Sequence, residues 1–101
     1  EPLVALTDTN ANIPDRYYLS QNYPNPFNPI TQIRFGLPRQ SNVTLKIYNI
    51  LGQKVKTVLD AKIQAGHHIM IFDATDLGSG VYFYRMQAGR FRKSHKMILL
   101  K

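Results

Sequence analysis

The chain has 101 residues, of which 44% are hydrophobic, and it carries a formal net charge of +7. This length and composition fit one folded domain and argue against intrinsic disorder. Cysteine is absent, which excludes thiol chemistry and thiolate metal sites. No apolar run reaches the roughly 18 residues of a membrane span. The chain starts at Glu1 without a signal-peptide pattern, so we expect it to be part of a longer protein.

The N-terminal segment, residues 1–16, has no sustained hydrophobic periodicity. Thr, Asp, Asn and Pro concentrate at positions 7–15, a composition typical of linkers and turns. We interpret residues 1–16 as a linker from a preceding domain, with one short strand near residues 3–6. Residues 17–101 then form the folded domain.

A proline-rich segment follows at residues 22–29 (NYPNPFNP). Its three prolines exclude a helix and a central strand, and Asn before Pro favours turns and extended conformations. We predict a rigid loop that Tyr23 and Phe27 attach to the body of the domain. The loop motif comprises Pro24, Asn25, Pro26, Phe27, Asn28 and Pro29.

From Ile30 onward, apolar and polar residues alternate with the period of two that indicates β-strands. After an extended segment at 17–21, strands are predicted over 30–37, 43–48, 54–59, 67–73, 81–87 and 90–100. Only residues 59–65 are ambiguous between strand and helix. About seven short strands with turns every 8–12 residues predict an all-β sandwich or barrel.

The corner at residues 77–82 (LGSGVY) favours the sandwich. A leucine five residues before a tyrosine, at the entrance to a strand, is similar to the tyrosine corner of immunoglobulin-like sandwiches. We expect the Tyr82 hydroxyl to bond to the backbone of this corner, with Leu77 and Gly80 shaping it. We assign these residues a structural role.

Two predicted strands, at residues 68–72 and 81–86, are apolar on both faces. Only one face of each sheet is buried in a two-layer sandwich. Either edges, loops or the N-terminal arm shield the second apolar face, or that face docks a partner. A homodimer is consistent with the second reading.

The chain offers no recognisable catalytic, cofactor-binding or metal-binding residues. Asp73 and Asp76 flank a corner, where aspartate usually accepts hydrogen bonds from local amides. His67 and His68 are neighbours on a strand and point to opposite faces, so they cannot easily share a metal ion. No nucleophile elbow, P-loop or dinucleotide fingerprint occurs. We therefore predict that the protein is not an enzyme and needs no cofactor.

The C-terminal quarter of the chain is strongly basic. The last acid is Asp76, and six cationic residues follow it without an intervening acid. Such a region attracts phosphates, acidic glycans or acidic protein surfaces. Its mixture of basic and aromatic residues resembles single-strand nucleic-acid binders, but a sandwich core needs the same aromatics, and we expect no nucleic-acid partner. Glycan binding stays open as an alternative.

Several sequence blocks occur in the order found in one known family. They are residues 22–35 (NYPNPFNPITQIRF), 43–55 (VTLKIYNILGQKV), 65–68 (AGHH), 80–89 (GVYFYRMQAG) and 96–101 (KMILLK). In these blocks the chain resembles the type A C-terminal sorting domain of the type IX (Por) secretion system. The resemblance runs from about residue 17 to the last residue. It departs from many relatives at Phe72, where we would expect Trp.

This resemblance implies a function without chemistry. Such domains are immunoglobulin-like sandwiches of about seven antiparallel strands at the C-terminus of cargo proteins of Bacteroidota and related phyla. The cargo reaches the periplasm by the general secretory route, and an outer-membrane translocon recognises its folded tail. A cell-surface sortase then usually removes the tail, often anchoring the cargo to an anionic lipopolysaccharide. Mature cargo is thus secreted or held at the cell surface, and cleavage is expected in the linker before Arg16.

We expect the translocon to recognise the C-terminal residues. A short unpaired terminal strand with charged ends suits docking by strand addition at a sheet edge. The residues concerned are Lys96, Met97, Ile98, Leu99, Leu100 and Lys101. The apolar run among them equally fits a last core strand. The related C-terminal domain of flagellar hook-capping proteins, and an accessory domain that binds glycan or protein, stay open as alternatives.

Overall fold

The computed structural model describes residues 6–8 and 12–101. These residues contain eight β-strands and no helix. The described part of the chain therefore has no helix that could span a membrane. The predicted all-β fold is confirmed. The strands are β1 (Leu6–Asp8), β2 (Tyr18–Leu19), β3 (Ile30–Leu37), β4 (Ser41–Tyr48), β5 (Lys54–Ile63), β6 (Gly66–Asp73), β7 (Gly80–Ala88) and β8 (Phe91–Leu99).

The strands form two antiparallel sheets of four. Sheet one has the order β1-β6-β3-β2, and sheet two has the order β5-β4-β7-β8. Alternate residues of both sheets point inward and build a single core, as in an immunoglobulin-like sandwich. Its largest fully buried side chains include Tyr84, Phe35 and Phe72. Phe72 therefore occupies the core position at which we expected Trp.

Strand β5 is longer than predicted, because it continues through the ambiguous stretch to Ile63. Its pairing with β4 shifts register twice, so that Val55 and Val58 have no residue directly opposite. Each such bulge turns one residue out of the alternation. The alternation of buried and exposed side chains is therefore interrupted along β5. Because of this interruption, the sequence did not indicate the full length of the strand.

Strand β1 lies within the segment interpreted as a linker. It pairs with β6 in antiparallel register, with Leu6 opposite Met70 and Asp8 opposite His68. Part of the N-terminal arm thus extends sheet one along its edge. Residues 1–5 and 9–11, which include most of the short strand predicted at 3–6, lie outside the described residues. The boundary between linker and domain stays a prediction.

Candidate recognition surface

Residues 96–100 alternate between the surface and the core, and the exposed Lys101 follows beyond the end of β8. Met97 and Leu99 are completely buried, whereas Lys96 and Leu100 are exposed and Ile98 is half-buried. β8 is therefore compatible with both interpretations of the sequence, a last core strand and a recognition segment. One of its faces completes the core and the other is available for contact. The alternation fixes which side chains a partner could touch.

The chain end is held to the corner that precedes β7. The Lys101 backbone N–H donates to Ser79 Oγ at 3.0 Å, and the Lys101 ammonium donates to the Thr75 carbonyl oxygen. At the same corner the Tyr82 hydroxyl donates to the Gly78 carbonyl oxygen at 2.8 Å, the bond expected from the sequence. Leu77 packs half-buried against the core. The terminal lysine therefore has a defined position.

From residue 96 onward, the outer edge of β8 is occupied by the proline-rich loop and by Gln21. The Phe27 N–H donates to the Ile98 carbonyl oxygen, and the Leu100 N–H donates to the Phe27 carbonyl oxygen, both at 2.9 Å. The Ile98 N–H donates to Asn25 Oδ1 at 2.9 Å. The Gln21 side chain donates to the carbonyl oxygen of residue 96 at 2.7 Å. The expectation of an unpaired terminal strand is therefore wrong, because a partner strand would have to displace this loop.

The loop itself is anchored by one aromatic and one amide side chain. Phe27 is 2% exposed and packs against Phe72, with 6.3 Å between ring centroids. Asn22 is buried and donates to Thr31 Oγ1 at 3.0 Å and to the Pro24 carbonyl oxygen at 3.1 Å.

The rest of the loop faces solvent. Pro24, Asn25, Pro26 and Asn28 are exposed and Pro29 is half-buried. The peptide bonds before the three prolines are cis. The prediction that the Tyr23 side chain attaches the loop is wrong: it is 78% exposed, and its residue is held by backbone bonds to Gln32.

A buried tyrosine and a histidine join β2 to sheet two. The Tyr84 hydroxyl donates to the Ser20 carbonyl oxygen at 2.6 Å, and burial raises the pKa of this phenol well above its ordinary value of 10.0. His95 Nε2 lies 2.8 Å from the Leu19 carbonyl oxygen, and its ring packs beside Tyr84. Both contacts hold the segment that leads into the proline-rich loop.

The acids at the corner have structural partners. The Thr75 hydroxyl and backbone N–H donate to Asp73 and hold the pKa of that carboxyl below its usual value. The Lys56 ammonium forms an ion pair with Asp76 and lowers the pKa of Asp76 in the same way. Within the described residues this is the one ion pair.

The histidines lie in separate environments. His67 Nδ1 is 2.7 Å from the Tyr18 hydroxyl on the outer face of sheet one. His68 points inward, stacks on Phe35 and bonds through Nε2 to the Gln64 carbonyl oxygen. No group of three potential metal ligands occurs in the part of the chain that the structure describes.

The outer face of sheet two carries a depression that the sequence analysis did not single out. Its volume is about 310 Å³, and its walls include Tyr48, Ile50, Phe83, Arg85 and Ser94. The alternation along β7 does place Phe83 and Arg85 on the outer face, so their exposure was predictable. The approach of the loop at residues 49–53 was not, because it depends on hydrogen bonds within that loop.

The comparisons with known proteins add one match. The family model described as "Secretion system C-terminal sorting domain" matches residues 21–100, which include the proline-rich loop and the whole of β8. Neither the comparison with curated proteins nor the comparison with solved structures gives a significant match.

Proposed function

Since this chain belongs to the family of secretion-system C-terminal sorting domains, we propose that the type IX translocon recognises it through the outward side chains of its last strand. A domain of this family directs its cargo across the outer membrane to the cell surface or beyond. The partners implied are the secretion machinery and a cargo region N-terminal to the domain. We further propose that a sortase removes the domain and anchors the cargo at the cell surface.

The observation that carries the proposal is the alternation along residues 96–100. Met97 and Leu99 pack into the core, while Lys96 and Leu100 are exposed on the opposite face and Lys101 is exposed immediately after them. A sorting signal must present the same surface on unrelated cargos. A side-chain pattern fixed by a buried strand meets that need, because the pattern does not depend on what precedes the domain.

The proposed contact is made with side chains and not by strand addition. The backbone groups of residues 96 and 98 in β8, and of residue 100 just after it, already bond to the proline-rich loop and to Gln21. A partner strand would therefore gain backbone hydrogen bonds only by breaking existing ones. The exposed ammonium groups of Lys96 and Lys101 favour an acidic counterpart on the translocon.

The segment before β2 suits proteolytic removal. Ile13 is 58% exposed, and Asn12, Asp15 and Arg16 are exposed as well. A protease requires an accessible, extended substrate, and exposed segments outside the sheets are the usual sites of cleavage. We propose that the sortase cuts in the linker before Arg16. A cut at residues 12–16 would separate the cargo, together with the edge strand β1, from the other seven strands.

Point substitutions test the recognition residues better than truncation. Deletion of residues 96–101 would remove two core side chains and unfold the domain. A loss of delivery could then reflect either the unfolding or the missing recognition residues. We would fuse a reporter to the full chain carrying Lys96→Ala and Lys101→Ala together, in a host with a working type IX system. The matched control is Lys54→Ala with Lys62→Ala, two exposed lysines of β5.

We expect the pair at Lys96 and Lys101 to reduce surface delivery of the reporter by at least about tenfold, the order expected when charge-assisted contacts are lost. The control pair should be delivered normally. Thermal unfolding of both purified variants establishes that the domain is folded. Normal delivery of the Lys96 and Lys101 variant, or equal loss in the control, would contradict the proposed recognition residues.

A further inference from the structure

Arg85 is a partly buried cation without an acidic partner. Its guanidinium lies 4.8 Å from the centroid of the Tyr48 ring and donates to the Tyr48 hydroxyl at 2.7 Å. Among the described residues, no carboxylate lies within 4.0 Å of it. A guanidinium has five N–H donors in a planar fork that matches a carboxylate. Arg85 is therefore held in place while most of its donors stay available.

The loop at residues 49–53, beside Arg85, holds apolar side chains in solvent. Asn49 Oδ1 accepts hydrogen bonds from the backbone N–H groups of Leu51 at 2.9 Å and Gln53 at 3.0 Å. The Asn49 amide also donates to Gln53 Oε1 at 2.9 Å. Yet Ile50 is 70% exposed and Leu51 is 77% exposed. A loop fixed by this many bonds presents its apolar side chains with little further loss of backbone entropy on binding.

These features meet in the depression on the outer face of sheet two. Ile50 and Phe83 form apolar walls, and Arg85 and Ser94, which lie opposite one another on β7 and β8, belong to the same lining. We propose that this depression binds an acidic side chain of a partner protein, flanked on the partner by apolar residues. Arg85 would hold the carboxylate with two parallel hydrogen bonds, while Ile50 and Phe83 would cover its apolar neighbours.

The surrounding charge supports an acidic partner. Lys46 lies opposite Arg85 on β4, and Lys96 lies opposite Phe83 on β8. The chain has no acid after Asp76. Of these cations only Arg85 lines the depression, whereas a phosphate site would be expected to place several cations around one point. The other walls combine the apolar Ile50 and Phe83 with Tyr48 and Ser94, which fits a carboxylate within an otherwise apolar protein segment.

The inference rests on the proposed function only in naming the partner. If the translocon contacts Lys96, a partner covering that residue also lies next to Phe83, its neighbour across the strands. The depression then extends the recognition surface from the end of β8 across β7 to the loop at residues 49–53. Binding at the depression can be measured without any secretion, so the two proposals fail separately.

The test uses the full chain, isotope-labelled for amide NMR. It is titrated with a capped peptide in which one aspartate stands between leucines, and with the same peptide carrying asparagine. Inorganic phosphate and vesicles of phosphatidylglycerol are the other probes. We expect the aspartate peptide to shift amide signals around Arg85 and Ile50, to bind more weakly at high salt, and to bind more tightly than the asparagine peptide.

Variants then assign the binding to the depression. We expect Arg85→Ala to weaken binding of the aspartate peptide by about tenfold or more, whereas Arg34→Ala, an exposed arginine of sheet one, leaves it unchanged. Ile50→Ser should also weaken binding, although its exposed side chain contributes little to folding. Ile30→Ser is its control on sheet one, at 49% exposure.

Four results would overturn the inference: no binding of the aspartate peptide, equal binding of both peptides, binding that is insensitive to Arg85→Ala, or Arg85-dependent binding of phosphate or vesicles alone. If any of these occurs while surface delivery still depends on Lys96 and Lys101, the depression is not a protein-docking site and the proposed function stands. If the aspartate peptide binds as expected but delivery does not need those lysines, the docking depression stands and the proposed recognition residues are wrong.

Discussion

Replacing Phe27 by alanine tests whether the proline-rich loop is part of the core or a surface feature. Phe27 is 2% exposed and packs against Phe72. Truncation of a buried phenylalanine costs about 3–5 kcal/mol of unfolding free energy, which includes the cavity left behind. The loss of the aromatic pair accounts for about 0.5–1.5 kcal/mol of that. Since small domains have only about 5–15 kcal/mol of stability, Phe27→Ala should be severely destabilising.

The matched control is Tyr23→Ala, an aromatic truncation in the same loop. Tyr23 is 78% exposed, so we expect a change within about 0.5 kcal/mol. Urea unfolding of both variants, with a constant m-value, gives the comparison directly. Amide exchange should also quicken at Ile98 and Leu100 in the Phe27 variant, because both bond to the loop. Similar costs for the two variants would refute the view that Phe27 anchors the loop to β8.

Three further substitutions probe other contacts by urea unfolding. Gly36→Ala should cost about 1–3 kcal/mol, because its Cβ would lie 2.1 Å from the Tyr18 ring; an unchanged midpoint would contradict this packing. Tyr84→Phe should cost about 1–3 kcal/mol at neutral pH. Burial raises the Tyr84 pKa in the folded state. The contribution of the neutral phenol to folding stability is therefore complete below its ordinary pKa and is lost as pH rises above that value. The Phe variant has no such group, so it should lose less stability at alkaline pH than the parent. Asp76→Asn should cost at most about 1 kcal/mol. Because Lys56 lowers the pKa of Asp76, this contribution is present above the unfolded pKa and lost as pH falls, so parent and variant should converge in acid.

Regular alternation made most of the fold predictable. The pattern of two indicated β3 at its observed bounds and β4, β6, β7 and β8 to within a residue or two, because each has one face in the core. It failed for β5, whose two bulges turn residues out of phase. It did not indicate the bounds of β1, since three residues are too few to show a period and this strand depends on pairing with β6.

The candidate site was less predictable, because its decisive contacts join distant parts of the chain. The sequence indicated that alternate residues of the C-terminal strand face opposite ways, and it predicted a rigid proline-rich loop. It did not indicate that Asn25 and Phe27 bond to the edge of β8, more than seventy positions away. The exposure of Tyr23 was missed for a different reason: an aromatic residue in a loop belongs to no hydrophobic period from which its burial can be judged.

The most direct test of the sorting function is the location of a reporter fused to the N-terminus of the full chain. It would be expressed, with an export signal for the inner membrane, in one host with a working type IX system and in the same host without its translocon. We predict reporter on the cell surface or in the medium of the first host, and reporter retained in the periplasm of the second. Surface delivery in both hosts, or retention in both, would contradict the account.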